Sequence, residues 1–221
     1  MFRVEEYMAE LIASMQKKFG DRLKYVGLQG SYLRGEATEG SDLDVMVVIE
    51  GLSVQDLRDY RGMIMKMQDY DKSCGFICGT EDLKNWNPLE IAQLVACTKD
   101  YYGVLEALAP AYTRKDIENY IRMSVNNLYH EICHRFIHGS PEKNRSHLPG
   151  TYKGVFFILQ NVYYLRKGMY IATRQEMLAK AEGLDRDVMN MAAKLAAQED
   201  YDFDAAFELL FTWCQETLKG L

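Results

Sequence analysis

The 221-residue chain has no excess of positive charge: 26 Lys and Arg stand against 32 Asp and Glu, a formal net charge of −6. A protein that grips a long nucleic acid by its phosphates needs a positive balance or a basic stripe, so that class is set aside. The five cysteines, Cys74, Cys78, Cys97, Cys133 and Cys214, are odd in number and scattered, with no C-x-x-C pair. That pattern excludes a disulfide framework and a zinc ribbon and reads as a reduced, cytoplasmic chain. No apolar run reaches the ~18 residues of a membrane span, so no membrane partner is expected. There is no repeat and no low-complexity tract. The first fifteen residues, MFRVEEYMAELIASM, are amphipathic and carry acids, which does not read as a signal peptide. What the chain does have is 48% hydrophobic and 12% aromatic residues, enough for a sizeable core and too many for disorder.

Hydrophobic periodicity divides the chain in two. Over residues 2–19, Val4, Met8, Leu11, Ile12, Met15 and Phe19 recur at helical spacing and Gly20 follows as a stop. Residues 23–28 read as a strand. Residues 42–49 (DLDVMVVI) read as a second, apolar at every position beyond Asp44 and therefore central. Ser53 caps a helix over about 54–69, and residues 73–78 and 96–102 read as two weaker strands. The second half is helical. Thr113 and Asp116 make a capping pattern before an apolar stripe that runs to Gly139. Residues 139–150, polar with two prolines, read as a loop. Residues 151–167 are apolar nearly all round, as at the centre of a bundle. Thr173 with Glu176, and Asp185, cap further helices, and residues 203–219 form the last. The expectation is an α/β fold: a small mixed sheet with helices over residues 1–110, then an α-helical bundle over 111–221.

The chemistry concentrates in residues 28–48, LQGSYLRGEATEGSDLDVMVV. Asp42 and Asp44, two apart on a strand, point to one face with Cα atoms roughly 6.6 Å apart. Paired carboxylates at the mouth of an apolar strand are costly unless a cation sits between them. Mg²⁺ suits the position, because it takes one or two carboxylates together with phosphate oxygens and waters. Gly30 lets a backbone approach a phosphate closely, the turn after it offers N–H groups, and Ser31 adds a hydroxyl. Arg34 adds a charge-assisted donor.

The elements GSYLRG…SDLDV resemble the signature of the DNA polymerase β-like nucleotidyltransferase superfamily, and among its members the small antibiotic nucleotidyltransferases of the kanamycin type. The resemblance continues weakly through residues 127–139 and 148–182. It implies a nucleotide-binding α/β domain beside a helical substrate-binding domain. The reaction it implies is attack by a substrate hydroxyl on the α-phosphate of ATP or another nucleoside triphosphate, with Mg²⁺ and release of pyrophosphate. It implies Glu131 as general base and Arg135, four residues on, as a phosphate contact on the same helix face, with Ser41 as a further nucleotide contact. It also implies a homodimer. The superfamily usually carries a third carboxylate on the next strand. Here that position falls on Cys74 or a neighbour, with Asp71 just before the strand as the nearest acid.

The expected function is transfer of AMP to a hydroxyl of a small molecule. The acidic chain suits a cationic acceptor such as an aminoglycoside, with antibiotic resistance as the outcome. The alternatives are a regulatory or catalytically impaired nucleotide-binding protein of the same fold, which the missing acid motivates, and a protein-adenylylating toxin–antitoxin component. His130, His134 and His138 lie at i, i+4 and i+8; with no partner ligand evident, the row reads as a solvated face rather than a metal site.

Overall fold

The amphipathic stripe at the start of the chain becomes α1 (Val4–Phe19), with Tyr7, Met8, Leu11, Met15 and Phe19 buried on one side. In this computed structural model, which describes residues 2–221, that helix belongs to the first of two compact units, Met1–Tyr112 and Thr113–Leu221. The first unit continues with β1 (Leu23–Leu28), α2 (Gly30–Arg34), β2 (Leu43–Ile49), α3 (Val54–Ile64), β3 (Ser73–Gly79), α4 (Thr80–Lys84), α5 (Pro88–Ala96) and β4 (Lys99–Tyr102). The strands form one mixed sheet in the order β3-β2-β1-β4. β2 runs parallel to β3 and antiparallel to β1, and β1 is antiparallel to β4.

The position of β2 inside this sheet accounts for its composition. Leu43, Val45, Val47 and Ile49 pack with the buried face of α1. The alternate residues Met46 and Val48 pack on the opposite side with Tyr25, Cys78, Leu83 of α4 and Ile91 of α5. With both faces covered, alternation disappears and every position is apolar. Each such fully buried side chain contributes about 1.5–3 kcal/mol. Asp44 shares the parity of Met46 and Val48 and sits at the open end of that face.

Three local readings are corrected here. The stretch after β1, expected as a polar turn, closes into the five-residue helix α2. Residues 80–96 hold two short helices. The first is stabilised by Asp82, which accepts from the Gly79 N–H at 2.8 Å. The second begins with Asn87 as cap and Pro88 in its first turn, where proline loses no hydrogen bond. α5 takes Ala96, so the fourth strand is confined to Lys99–Tyr102. α3 opens on Ser53 as expected, in a capping box with Asp56, but ends at Ile64. Asp56 is further held by Arg22, which donates from Nη2 at 2.7 Å and Nη1 at 3.1 Å.

The second unit comprises α6 (Arg114–His138), α7 (Pro141–Lys167), α8 (Arg174–Lys180), α9 (Gly183–Ala196) and α10 (Phe203–Lys219). The expected loop at 139–150 is instead the start of α7. Ser140 caps it, Pro141 sits in its first turn and Pro149 lies inside it. An internal proline removes one hydrogen bond, and the helix persists because Leu148, Tyr152, Val155, Phe156 and Leu159 are buried along it. Asp185 does not cap α9; Glu182 takes that position. Asp185 instead accepts from the Trp213 indole at 2.8 Å and from Arg166 at 2.7 Å, tying α9 to α10 and α7. The Tyr152 hydroxyl donates to the Ala206 carbonyl at 2.6 Å, so the buried phenol leaves no orphan proton. Among the described residues, no helix is long and apolar enough to cross a membrane.

Candidate active site

The C-terminal end of β1 and the N-terminal end of β2 are joined directly. The Gln29 N–H donates to the Asp44 carbonyl at 2.8 Å, and the Gln29 side chain donates to Thr98 Oγ1 at 2.8 Å. This fixes the next residue, Gly30, against Asp44. Gly30 has φ +71°, and a Cβ built on it would stand 1.9 Å from Asp44 Oδ2 and 2.8 Å from its Cγ. Only glycine satisfies both the backbone angle and the contact. The first turn of α2 therefore lies directly against one of the two expected metal-binding carboxylates.

On the other side of β2, the parallel register pairs Asp44 with Cys74 of β3. The residue is exposed, and its thiol lies close to Asp44. Burial, then the Asp44 charge and a hydrogen bond to Asp44, raise it above the ordinary thiol range, with Asp42 adding to the effect. A protonated thiol beside a carboxylate is a donor to it and a poor ligand for a hard cation. Asp71 lies in the turn preceding β3, outside the strand. The register thus places Cys74, and no acid, level with Asp44. The start of β3 is anchored by a hydrogen bond between the Tyr7 and Ser73 hydroxyls.

The remaining sequence-predicted residues of this unit surround the same strand end. Asp42 is exposed, one residue before β2, and Asp44 is half-buried within it. Ser41 closes the loop between α2 and β2: its hydroxyl accepts from the Thr38 N–H at 2.9 Å and its own N–H donates to the Thr38 carbonyl at 3.0 Å. Lys72 reaches across to the Glu39 carbonyl and fastens this loop to the base of β3. Arg34, only 14% exposed, donates from Nε to Glu36 at 2.9 Å. Its charge is therefore partly engaged within the chain, and Glu36 is a neighbour that sequence reading did not include.

Glu131 and Arg135 belong to α6, in the second unit, and pair with each other: Arg135 Nε donates to Glu131 Oε1 at 2.9 Å, with both side chains well exposed. The i,i+4 spacing delivers this ion pair directly.

Among the described residues, no three His, Cys, Asp or Glu side chains converge on one point. At the start of β2 the candidate donors are two carboxylates, Asp42 and Asp44. That donor set suits an ion which draws its other ligands from water and phosphate. A set of thiolates or imidazoles would suit a structural zinc instead. Gln29, which locks Gly30 against Asp44, was missed in the sequence because nothing local distinguishes it; its partner Thr98 is far along the chain.

Residues 8–121 match the family model for the nucleotidyltransferase domain. Among solved structures, the chain is similar to a spectinomycin adenyltransferase from Enterococcus faecalis, determined with ATP and spectinomycin. The TM-score is 0.59 and the identity 15%, over 97% of this chain and 99% of that one. At this identity the likeness is one of fold. A Methanocaldococcus jannaschii protein, provisionally named a protein adenylyltransferase, is 39% identical over 44 residues, 20% of this chain. The matched segment spans 44% of the length of that relative.

Proposed function

Because this chain belongs to the nucleotidyltransferase domain family, we propose that it transfers AMP from ATP to a hydroxyl group of a small molecule. The observation that carries the reading is the junction of Gly30 with Asp44, with Asp42 beside it. It puts a turn without a side chain and two carboxylates at one strand end, where a triphosphate and its cation can be held together. In this reading Asp42 and Asp44 hold Mg²⁺, which when bound offsets charge on the phosphates. The backbone N–H groups after Gly30, the Ser31 hydroxyl and Arg34 orient the triphosphate, with Ser41 and Arg135 as further contacts. The acceptor oxygen bonds to the α-phosphorus as the bond to the bridging oxygen breaks. Pyrophosphate carries away that electron pair, and Glu131 takes the hydroxyl proton.

The acidic chain supports a cationic acceptor of the aminoglycoside type, and the solved structure of similar fold holds spectinomycin. The five free thiols support a reducing, cytoplasmic setting. The apolar content supports a homodimer, which sedimentation at micromolar concentration tests. A second reading, a nucleotide-binding protein without turnover, is favoured by Cys74 in place of an acid.

The deciding experiment supplies ATP labelled in its α-phosphate, Mg²⁺ and a panel of hydroxylated acceptors. Label on an acceptor, abolished in both Asp42→Asn and Asp44→Asn with the fold intact, supports the proposal. Label on a protein turns it to protein adenylylation, and binding without turnover to the second reading. Full activity in both variants removes the site.

A further inference from the structure

The last two turns of α6 carry a feature that the nucleotide reading does not use. Residues 130–134 read His-Glu-Ile-Cys-His, and His138 follows one turn later. This is the H-E-x-x-H order. On a helix that order places two imidazoles at i and i+4 on one side.

The structure separates this row from the core. Ile132 and Leu128 are the buried positions of the same turns. Cys133 lies near the buried Cys214, whose thiol it helps to raise. His130, His134 and His138 are all exposed on another side of the helix. Their rings follow one another, with centroids 6.0 Å apart for His130 and His134 and 4.9 Å for His134 and His138. The helix backbone is already ordered by the bundle, so gathering two neighbouring imidazoles around one ion costs only side-chain rotation.

We propose that this row is a second metal site, taking a borderline divalent ion of the zinc or nickel class through one i,i+4 imidazole pair, with water completing the coordination. His134 is common to both available pairs, and the closer ring spacing favours His134–His138. Imidazole selects such ions, whereas carboxylates and phosphates select magnesium, so the site is chemically distinct from Asp42 and Asp44. It is a two-ligand site, consistent with the absence of any three-residue set among the described residues. A two-imidazole site lacks the third protein ligand that catalytic zinc centres use, so the role is binding rather than hydrolysis.

The test uses the full chain stripped with EDTA, in a Cys74→Ala background that removes the exposed thiol, with Mg²⁺ in excess. Zinc is titrated by calorimetry, and the thermal midpoint is read with and without zinc. The parent should take up one zinc in the micromolar range and gain in thermal midpoint. His134→Ala, and independently His134→Gln, should lose both effects while keeping the metal-free midpoint. His130→Ala should keep them. Zinc binding that survives both His134 variants, or no uptake by the parent, overturns the proposal. Neither result bears on nucleotide binding, which is read separately.

Discussion

Replacing Gly30 with alanine separates the two demands the strand end makes on that residue. The first is conformational. At φ +71° an L-residue costs roughly 1–2 kcal/mol relative to glycine. The second is spatial. The added methyl would stand 1.9 Å from Asp44 Oδ2, well inside contact distance, so either the carboxylate swings away or α2 shifts. Gly35 provides a matched control. Its φ is +68°, and nothing lies within 4 Å of an added Cβ. Gly35→Ala should therefore cost roughly 1–2 kcal/mol, read as a drop of a few degrees in the calorimetric midpoint, and should bind a non-hydrolysable ATP analogue with Mg²⁺ as the parent does. Gly30→Ala should show at least the same drop and should lose that binding, because the displaced group is one of the two carboxylates. Equal analogue affinity in Gly30→Ala and parent would refute the argument that the Gly30–Asp44 contact forms the nucleotide site.

Other expectations follow from the same geometry. Glu131→Gln should lower kcat by roughly 10²–10⁴ with nucleotide affinity unchanged, the usual contribution of a positioned base. If the Glu131–Arg135 pair is only a surface ion pair, kcat stays constant and stability changes by no more than about 1 kcal/mol. Ser31→Ala should weaken nucleotide binding by about 1.5–3 kcal/mol, one hydrogen bond to a charged group, measured by calorimetry; an unchanged constant takes Ser31 out of the site. Asp56 has its carboxyl held well below the usual range, first by the Arg22 hydrogen bonds and then by Ser53. Its contribution is therefore complete above the unfolded value of about 3.9 and is lost as pH falls through the folded value. Asp56→Asn should lower the midpoint at neutral pH and flatten the loss of stability below about pH 4. Parallel pH curves for parent and variant would show that the Arg22–Asp56 pair does not set the acid limb.

Much of this molecule was determined by local pattern. The run after Asp44 is apolar at every position because β2 is covered on both faces. Thr113 with Asp116, Thr173 with Glu176, and Ser53 each announced a helix by the cap they form. That Gly30 and Ser31 follow the end of β1 and that Asp42 and Asp44 fall at the start of β2 was legible from short-range pattern, although the expected turn closes into α2. Local signals failed where tertiary packing outweighed them. Pro149 reads as a helix breaker, but the buried side chains on either side of it keep α7 continuous. Asp185 reads as a cap, but it is drawn to Trp213 and Arg166, residues 28 and 19 positions away. The pairing of Cys74 with Asp44 depends on the β2–β3 register, and the clamp from Thr98 through Gln29 to Gly30 depends on β4 lying beside β1. Contacts between residues tens of positions apart leave no mark in a single sequence, because each partner alone is compatible with many neighbours. Those contacts decide that the expected third acid is a thiol and that Gly30 presses directly on Asp44.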